Sequence, residues 1–357
     1  MNVVRLLLPL ALSGAACASC RGNRADLPSD GASPADGGDG LPTFLLYETG
    51  AGVGSPIYAL HVDSGAVYWV QRDQGIYRGS RDGRGPAVRW GAIKGPYSDT
   101  LTSDDQRVYW IEHSKLLYKD KNGSGEGEVV LPWDHTGGAL AIDDRYVYTA
   151  MPGCPAILRL DKQSLALEEM DIPGIAADPR GGMTTLRLRD GGFYCAGWSN
   201  IFWIAGWQQP AQKLVSSANR LWGMAPAAGS LYWINNPSPT ASHSPYMSRL
   251  QLDSGAVTDF PEEGGIGPSN LVATSDGAWL FRTSVTVLHA FSTASNVTSD
   301  VLPYDRTGRR VAAYGSQIDS DGEALYFTAA RDIDGVGRVY GVHKVPFSYL
   351  LGRLKKP

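Results

Sequence analysis

The chain is short of charge, of cysteine and of long hydrophobic runs. Charged residues make up 19% of its 357 residues, and the formal net charge is −4. Without a basic surplus there is no electrostatic footprint for a phosphate backbone, so nucleic acid is excluded as a partner. The one basic run, Arg353-Leu354-Lys355-Lys356, reads as a solvated end. The apolar stretch at residues 6–16 is too short to span a bilayer. Helical periodicity is missing beyond the N-terminus. The six histidines, His61, His113, His135, His243, His289 and His343, are dispersed, with no zinc spacing and no Ser/His/Asp elbow. Only two of the four cysteines, Cys154 and Cys195, lie beyond the N-terminal segment.

Glycine and proline are plentiful, at 43 and 22 residues, a balance that fits short strands and tight turns. Seven copies of one pattern run along the chain: a hydrophobic run ending near Asp, a Gly/Ser/Asp turn, then a strand with an aromatic pair. The copies centre on Tyr68-Trp69, Tyr109-Trp110, Tyr148, Phe193-Tyr194, Tyr232-Trp233, Trp279-Phe281 and Tyr326-Phe327. A spacing of roughly 40–50 residues is that of propeller blades or solenoid repeats. In the first copy, residues 57–62, 66–71, 76–79 and 87–93 read as four strands separated by Asp/Gly turns, which makes one antiparallel blade.

The fold class expected is all-β: a seven-bladed β-propeller of four-stranded antiparallel blades, one domain over residues 43–357. The last copy lacks a fourth strand. The β-prone segment at residues 43–47 is expected to fill that place and close the ring, removing both open edges. Residues 347–354 are the alternative. The aromatic pairs read as packing between blades. The turn acids Asp63, Asp105, Asp144, Asp190, Asp276 and Asp321 read as turn-formers rather than metal ligands.

Residues 1–20 have the layout of an export signal: Arg5, an apolar run, then small residues with Cys17 and Cys20. A Cys after such a run resembles a bacterial lipobox, though Gly14 or Cys17 stands where that motif has an aliphatic residue, so lipidation at Cys17 or Cys20 is expected. Ala16-Cys17-Ala18 also fits ordinary signal cleavage, and plain secretion stays open. Residues 21–42, rich in Gly, Asp, Pro and Ser, read as a disordered tether. The location expected is extracytoplasmic, at the bacterial outer membrane or periplasm.

The run Val67-Tyr68-Trp69, Ile76-Tyr77-Arg78, Asp82-Gly83 resembles the YWTD propeller repeat, and the chain is similar to TolB-like propellers. The second copy echoes it with Val108-Tyr109-Trp110 and Asn122-Gly123, and the fifth with Leu231-Tyr232-Trp233. The resemblance implies a propeller used as a binding platform.

Function is sought where copies differ. Loops after second and fourth strands share one face, and two of the former are enlarged: residues 235–245, with His243, and 330–337, with Asp332 and Asp334. The channel mouth is expected to be lined by Tyr58, Asp99, Thr184, Arg220, Trp222, Asn270 and Gln317. Asp99 is the one clear carboxylate there, too few for a hard cation, so no metal and no cofactor are expected. A disulfide between Cys154 and Cys195 is compatible with export. The function expected is non-enzymatic binding or scaffolding of a protein, small-molecule or glycan ligand on one face, with membrane attachment through the lipid. A lactonase-, hydrolase- or lyase-like site at the channel mouth is the alternative.

Overall fold

The computed structural model of the chain describes residues 45–48, 56–71, 74–93, 100–133, 138–150, 155–172, 185–197, 199–216, 220–236, 247–260, 270–283, 288–301, 317–333 and 337–354. These form seven four-stranded antiparallel sheets. The first strand of each sheet lies beside that of the next, and Ile57–Val62 lies beside Ile318–Ser320, so the series closes into a ring. The fold is the seven-bladed propeller.

Blade 1 runs from centre to rim as Ile57–Val62, Ala66–Gln71, Gly75–Ser80 and Val88–Gly91. Blade 2 is Leu101–Ser103, Arg107–Glu112, Lys115–Asp120 and Glu126–Val130. Blades 3 to 6 repeat the scheme, with second strands Tyr146–Ala150, Gly192–Ala196, Ser230–Asn236 and Trp279–Thr283. The second strands are buried nearly throughout, because a neighbouring blade covers each face of the sheet. Burying one such large apolar side chain is worth about 1.5–3 kcal/mol. The exposed large aliphatics Val88, Val130, Val257 and Val297 all lie in fourth strands, at the rim.

Blade 7 is Ile318–Ser320, Ala324–Ile333 and Gly337–Pro346, and its outermost strand is Leu45–Glu48, from the other end of the chain. The closing strand, described over Leu45–Glu48, pairs Leu45 with His343 and Glu48 with Gly341. It also grips blade 1: Tyr47 stacks on Trp69 at 5.2 Å and its hydroxyl donates to Ser80 O at 2.9 Å. The alternative closing segment, Phe347–Leu354, is an α-helix, and its Phe347 stacks on Phe281 of blade 6 at 5.3 Å.

Two other expectations change. The supposed enlarged loop of blade 7 is mainly strand, since Ala330 pairs with Tyr340 and Ile333 with Gly337 in a hairpin of ten-residue arms. β-Branched and aromatic residues at 333, 339 and 340 favour extending the ladder. The turn acids of blades 2 and 3 are Asp104 and Asp143, not Asp105 and Asp144. The first Asp of each pair is the one whose carboxylate faces the backbone N–H groups of the turn.

Candidate functional site

The first-to-second and third-to-fourth strand turns share one face of the ring, and a repeated polar clamp occupies part of it. Asp104 Oδ1 accepts from the N–H groups of Gln106 and Arg107 at 2.8 and 2.7 Å, and Oδ2 accepts from the Tyr109 hydroxyl at 3.0 Å. Asp143 with Tyr148 and Asp321 with Tyr326 repeat this at 2.7 and 2.9 Å. The next blade supplies a cation. Arg81 meets Asp321 at 2.7 Å, Lys121 meets Asp63 at 2.5 Å, and Lys162 meets Asp104 at 3.3 Å. Burial alone would raise these carboxyls, but the cations and backbone N–H donors outweigh it and hold Asp63, Asp104 and Asp321 below the ordinary carboxylate value. The acids thus tie blades together.

At the same end of the inner strands, His61 bridges three blades. Its Nδ1 lies 3.1 Å from Asp319 Oδ2 of blade 7, and its Nε2 lies 2.9 Å from Ser103 Oγ of blade 2. Ser103 Oγ also donates to Asp63 Oδ2 at 3.2 Å, and Val62 N–H donates to Asp319 Oδ2 at 2.9 Å. Sequence spacing gave no sign of this Ser/His/Asp grouping, because its members come from three blades. With Asp63 Oδ2 engaged by Lys121 and Ser103, the buried Tyr68 hydroxyl is left without a partner.

The opposite face carries the ends of second and fourth strands, and there blades 1 and 2 enclose a cavity of about 400 Å³. Trp110, Glu112, Lys115, Leu117, Tyr118 and Glu128 of blade 2 line it, with Gly91 at the end of blade 1. Lys115 and Glu128 form an ion pair at 2.6 Å. Trp110 is 3% exposed and its indole N–H has no acceptor. An unsatisfied buried donor costs about 1–3 kcal/mol.

The origin of that orphan donor is visible in blade 5, where Trp233 occupies the same place in the repeat. Trp233 Nε1 donates to Asn235 Oδ1 at 3.0 Å, Asn235 Nδ2 donates to Ser248 Oγ at 2.7 Å, and Ser248 donates to Asp259 Oδ1 at 2.6 Å. Trp233 pairs with Ser248 and Ser248 with Asp259, just as Trp110 pairs with Leu117 and Leu117 with Glu128. Glu112 stands where blade 5 has the accepting Asn235, Leu117 has no hydroxyl to continue the chain, and Glu128 turns to Lys115.

The channel-mouth set is partly brought together. Asn270 and Gln317, each just before the first strand of its blade, meet as Asn270 Nδ2 donates to Gln317 Oε1 at 3.2 Å. Tyr58 lies within the first strand of blade 1, and Arg220 opens that of blade 5 with Trp222 two residues on. The side chains of Arg220 and Trp222 lie outside the description, as do Asp99, Thr184, His243 and Asp334. Asp332 sits in the long hairpin of blade 7, paired through its backbone with Arg338. Cys195 is fully buried in blade 4 and disulfide-bonded, whereas Cys17, Cys20 and Cys154 lie outside the described residues. Trp207 is covered by the Arg159 guanidinium at 4.2 Å. Among the described residues no group of three or more His, Cys, Asp or Glu side chains is placed to hold a metal ion, and no helix is long and apolar enough to cross a membrane.

No family model matches the chain, and no curated protein matches it. Solved structures do. The extracellular domain of BT4673 from B. thetaiotaomicron, described once as a one-component and once as a hybrid two-component system, superposes with a TM-score of 0.60 in both structures. Identity is 10% and 11%, over 82% of this chain, which spans only 40% and 39% of those chains. The CNH domain of AfRom2 superposes with a TM-score of 0.59 at 8% identity, over 85% of this chain and 98% of that one. At such identities the likeness is one of fold, and the fold is a seven-bladed β-propeller.

Proposed function

We propose that this chain is a non-enzymatic binding module outside the cytoplasm, taking its ligand on the face formed by the ends of the second and fourth strands. The observation that carries the reading is the cavity between blades 1 and 2, where a polar network completed in blade 5 is left open. A cavity of this size, apolar in its walls with a few polar groups, suits a small-molecule or glycan group. Tyr58, Asn270 and Gln317 extend the polar surface toward the channel. Asp99, Thr184, Arg220, Trp222, His243, Asp332 and Asp334 are further candidates for this face.

The location rests on the sequence. An export signal with Cys17 or Cys20 as lipid acceptor, followed by the tether at 21–42, supports a lipoprotein of the outer membrane or periplasm, or a secreted protein. Likeness to extracellular domains and to YWTD and TolB-like repeats is in keeping with it. The intact mass of the mature protein tests the anchor. A thiol titration of denatured, unreduced protein tests a Cys154–Cys195 bridge.

The binding reading is tested by melting the protein with panels of neutral, cationic and anionic small molecules, alongside Leu117→Phe, which narrows the cavity at its wall. A stabilising ligand whose effect disappears in Leu117→Phe is expected. No stabilisation by any class, or stabilisation indifferent to Leu117→Phe, sinks it. Hydrolysis is the second reading, and its support is the His61 contacts to Ser103 and Asp319 at 2.9 and 3.1 Å. Turnover of a nitrophenyl ester that Ser103→Ala abolishes would establish it in place of the binding reading.

A further inference from the structure

We infer that the central channel holds a second binding site, separate from the cavity between blades 1 and 2, in which Arg187 takes a small monocarboxylate. The first strands of the seven blades line the channel. One residue of each pairs with Tyr68 or its counterpart in the second strand, so these residues form one layer of the ring. In blades 1, 2, 4 and 7 the layer holds His61, Thr102, Arg187 and Asp319. In blades 3, 5 and 6 it holds Ala141, Ala225 and Ala273. Both blades that flank Arg187 therefore contribute only a methyl group, as does blade 6 beyond them. Ala141 and Ala273 keep part of their surface open.

Arg187 reaches from blade 4 to blade 5. Its Nε donates to Met224 O at 3.1 Å, and its Nη1 donates to Leu186 O at 3.2 Å. Both acceptors are neutral carbonyls. Of the five N–H groups of a guanidinium these contacts use two, and both N–H groups of Nη2 remain. Nη2 makes no hydrogen bond and is not sealed from solvent. Arg187 keeps part of its surface open, yet lies deep enough that burial pushes its guanidinium below the ordinary value. Asp319 opposes that shift only through space. Its oxygens are already engaged, since Oδ2 accepts from Val62 N–H and faces His61 Nδ1, and Oδ1 accepts from Ser320 N–H.

The remaining N–H groups make a planar fork that matches the two oxygens of a carboxylate. One open cation, in a layer that also holds Asp319, favours a single negative charge over two. The alanines leave room for a short aliphatic substituent and offer it no polar partner. A bound carboxylate compensates the desolvated charge, so binding raises the melting temperature.

The experiment titrates the full chain with acetate, propionate and lactate at constant ionic strength, reading melting temperature and calorimetric binding. Propionamide and sulfate are the neutral and doubly charged comparators. A monocarboxylate is expected to bind saturably and more tightly than either comparator. Arg187→Lys, which keeps the charge and removes the fork, is expected to weaken it by about tenfold or more, and Arg187→Gln to abolish it. Ala273→Leu leaves the guanidinium in place and crowds the layer, and is expected to weaken binding in the same way, which keeps the inference testable if Arg187→Gln does not fold. Leu117→Phe, at the other cavity, is expected to change nothing. No saturable binding of any monocarboxylate overturns the inference. So does sulfate or propionamide binding as tightly, binding that Arg187→Lys and Ala273→Leu leave intact, or binding that Leu117→Phe abolishes.

Discussion

Blades 7, 1, 2 and 3 are stitched together differently from blades 4, 5 and 6. In the first group each junction on the turn face joins a carboxylate to a cation of the next blade: Asp321 to Arg81, Asp63 to Lys121, and Asp104 to Lys162. A second bond reinforces each one. Lys344 Nζ donates to Arg81 O, Arg78 Nη1 to Lys121 O, and Arg107 Nη1 to Lys162 O, at 3.1, 2.9 and 3.0 Å. In the second group no described turn acid meets a cation of the next blade, although Arg249 Nη1 of blade 5 donates to Asn296 Oδ1 in a turn of blade 6 at 3.0 Å. Asp190-Gly191 and Ala228-Gly229 are two-residue hairpin turns with positive φ at both positions, and Asp276 bonds locally to Thr274 and Ala278. The turn-forming Asp therefore does two jobs in one half of the ring and one or none in the other. The clamped half is also where the chain's two ends meet and where the cavity lies. Rigid blades on both sides of a cavity keep it from collapsing when empty.

The largest break in that contrast is removal of residues 1–48, which strips the rim strand from blade 7 and Tyr47 from blade 1. Loss of a cooperative thermal transition is expected, and a truncated chain that melts like the full one would show that the strand is dispensable. Tyr47→Ala alone should cost about 3–5 kcal/mol in denaturant unfolding.

Next comes Asp104→Ala, which orphans two backbone N–H groups, the Tyr109 hydroxyl and Lys162. A loss of about 2–3 kcal/mol is expected. Asp190→Asn, at a side chain 83% exposed and with a residue that also tolerates the turn's positive φ, should stay within about 0.5 kcal/mol. Equal effects would erase the distinction between the two halves.

Acid should act on the clamped half first. Asp63, Asp104 and Asp321 titrate below the ordinary value of 3.8 in the folded chain. Their contribution is complete above that value and is lost as pH falls through the depressed folded values. Stability is expected to drop as pH falls below about 4, and to drop less steeply in Asp63→Asn/Asp104→Asn/Asp321→Asn. An unchanged slope in the triple variant would assign acid sensitivity to other groups.

The smallest effects sharpen the register. Asp105→Asn and Asp144→Asn should each lie within about 0.5 kcal/mol of the parent, unlike their neighbours Asp104 and Asp143. Ala228→Gly should stabilise by about 0.5–1 kcal/mol, because Ala228 holds a φ of 46° that glycine adopts without strain.

The blade count, the second strand of every blade and the borrowed N-terminal strand were legible because period and hydrophobic runs are local properties of the chain. The acids of blades 2 and 3 were misplaced by one residue because Asp104-Asp105 and Asp143-Asp144 offer two equivalent side chains, and only the turn's N–H directions choose between them. The blade 7 insert was read as loop because its Asp and Gly content hid the ladder that Ala330 and Tyr340 continue. Trp110 was set aside as packing with the other aromatics of the repeat. Its difference from Trp233 lies in the residue two places on, Glu112 against the accepting Asn235, and in the facing residue of the adjacent strand, Leu117 against Ser248, which is readable only once the register is known.

The sequence by itself determined a ring of seven antiparallel blades, since a hydrophobic run, a turn and an aromatic strand at a steady period can bury their surfaces only by stacking on their neighbours. The tertiary structure alone decided which polar groups meet. His61 finds Asp319 and Ser103 from two other blades, Lys162 finds Asp104 across a junction, and Trp110 is left facing a cavity. Each is a relation between residues tens to hundreds of positions apart, set by blade packing rather than by any local pattern.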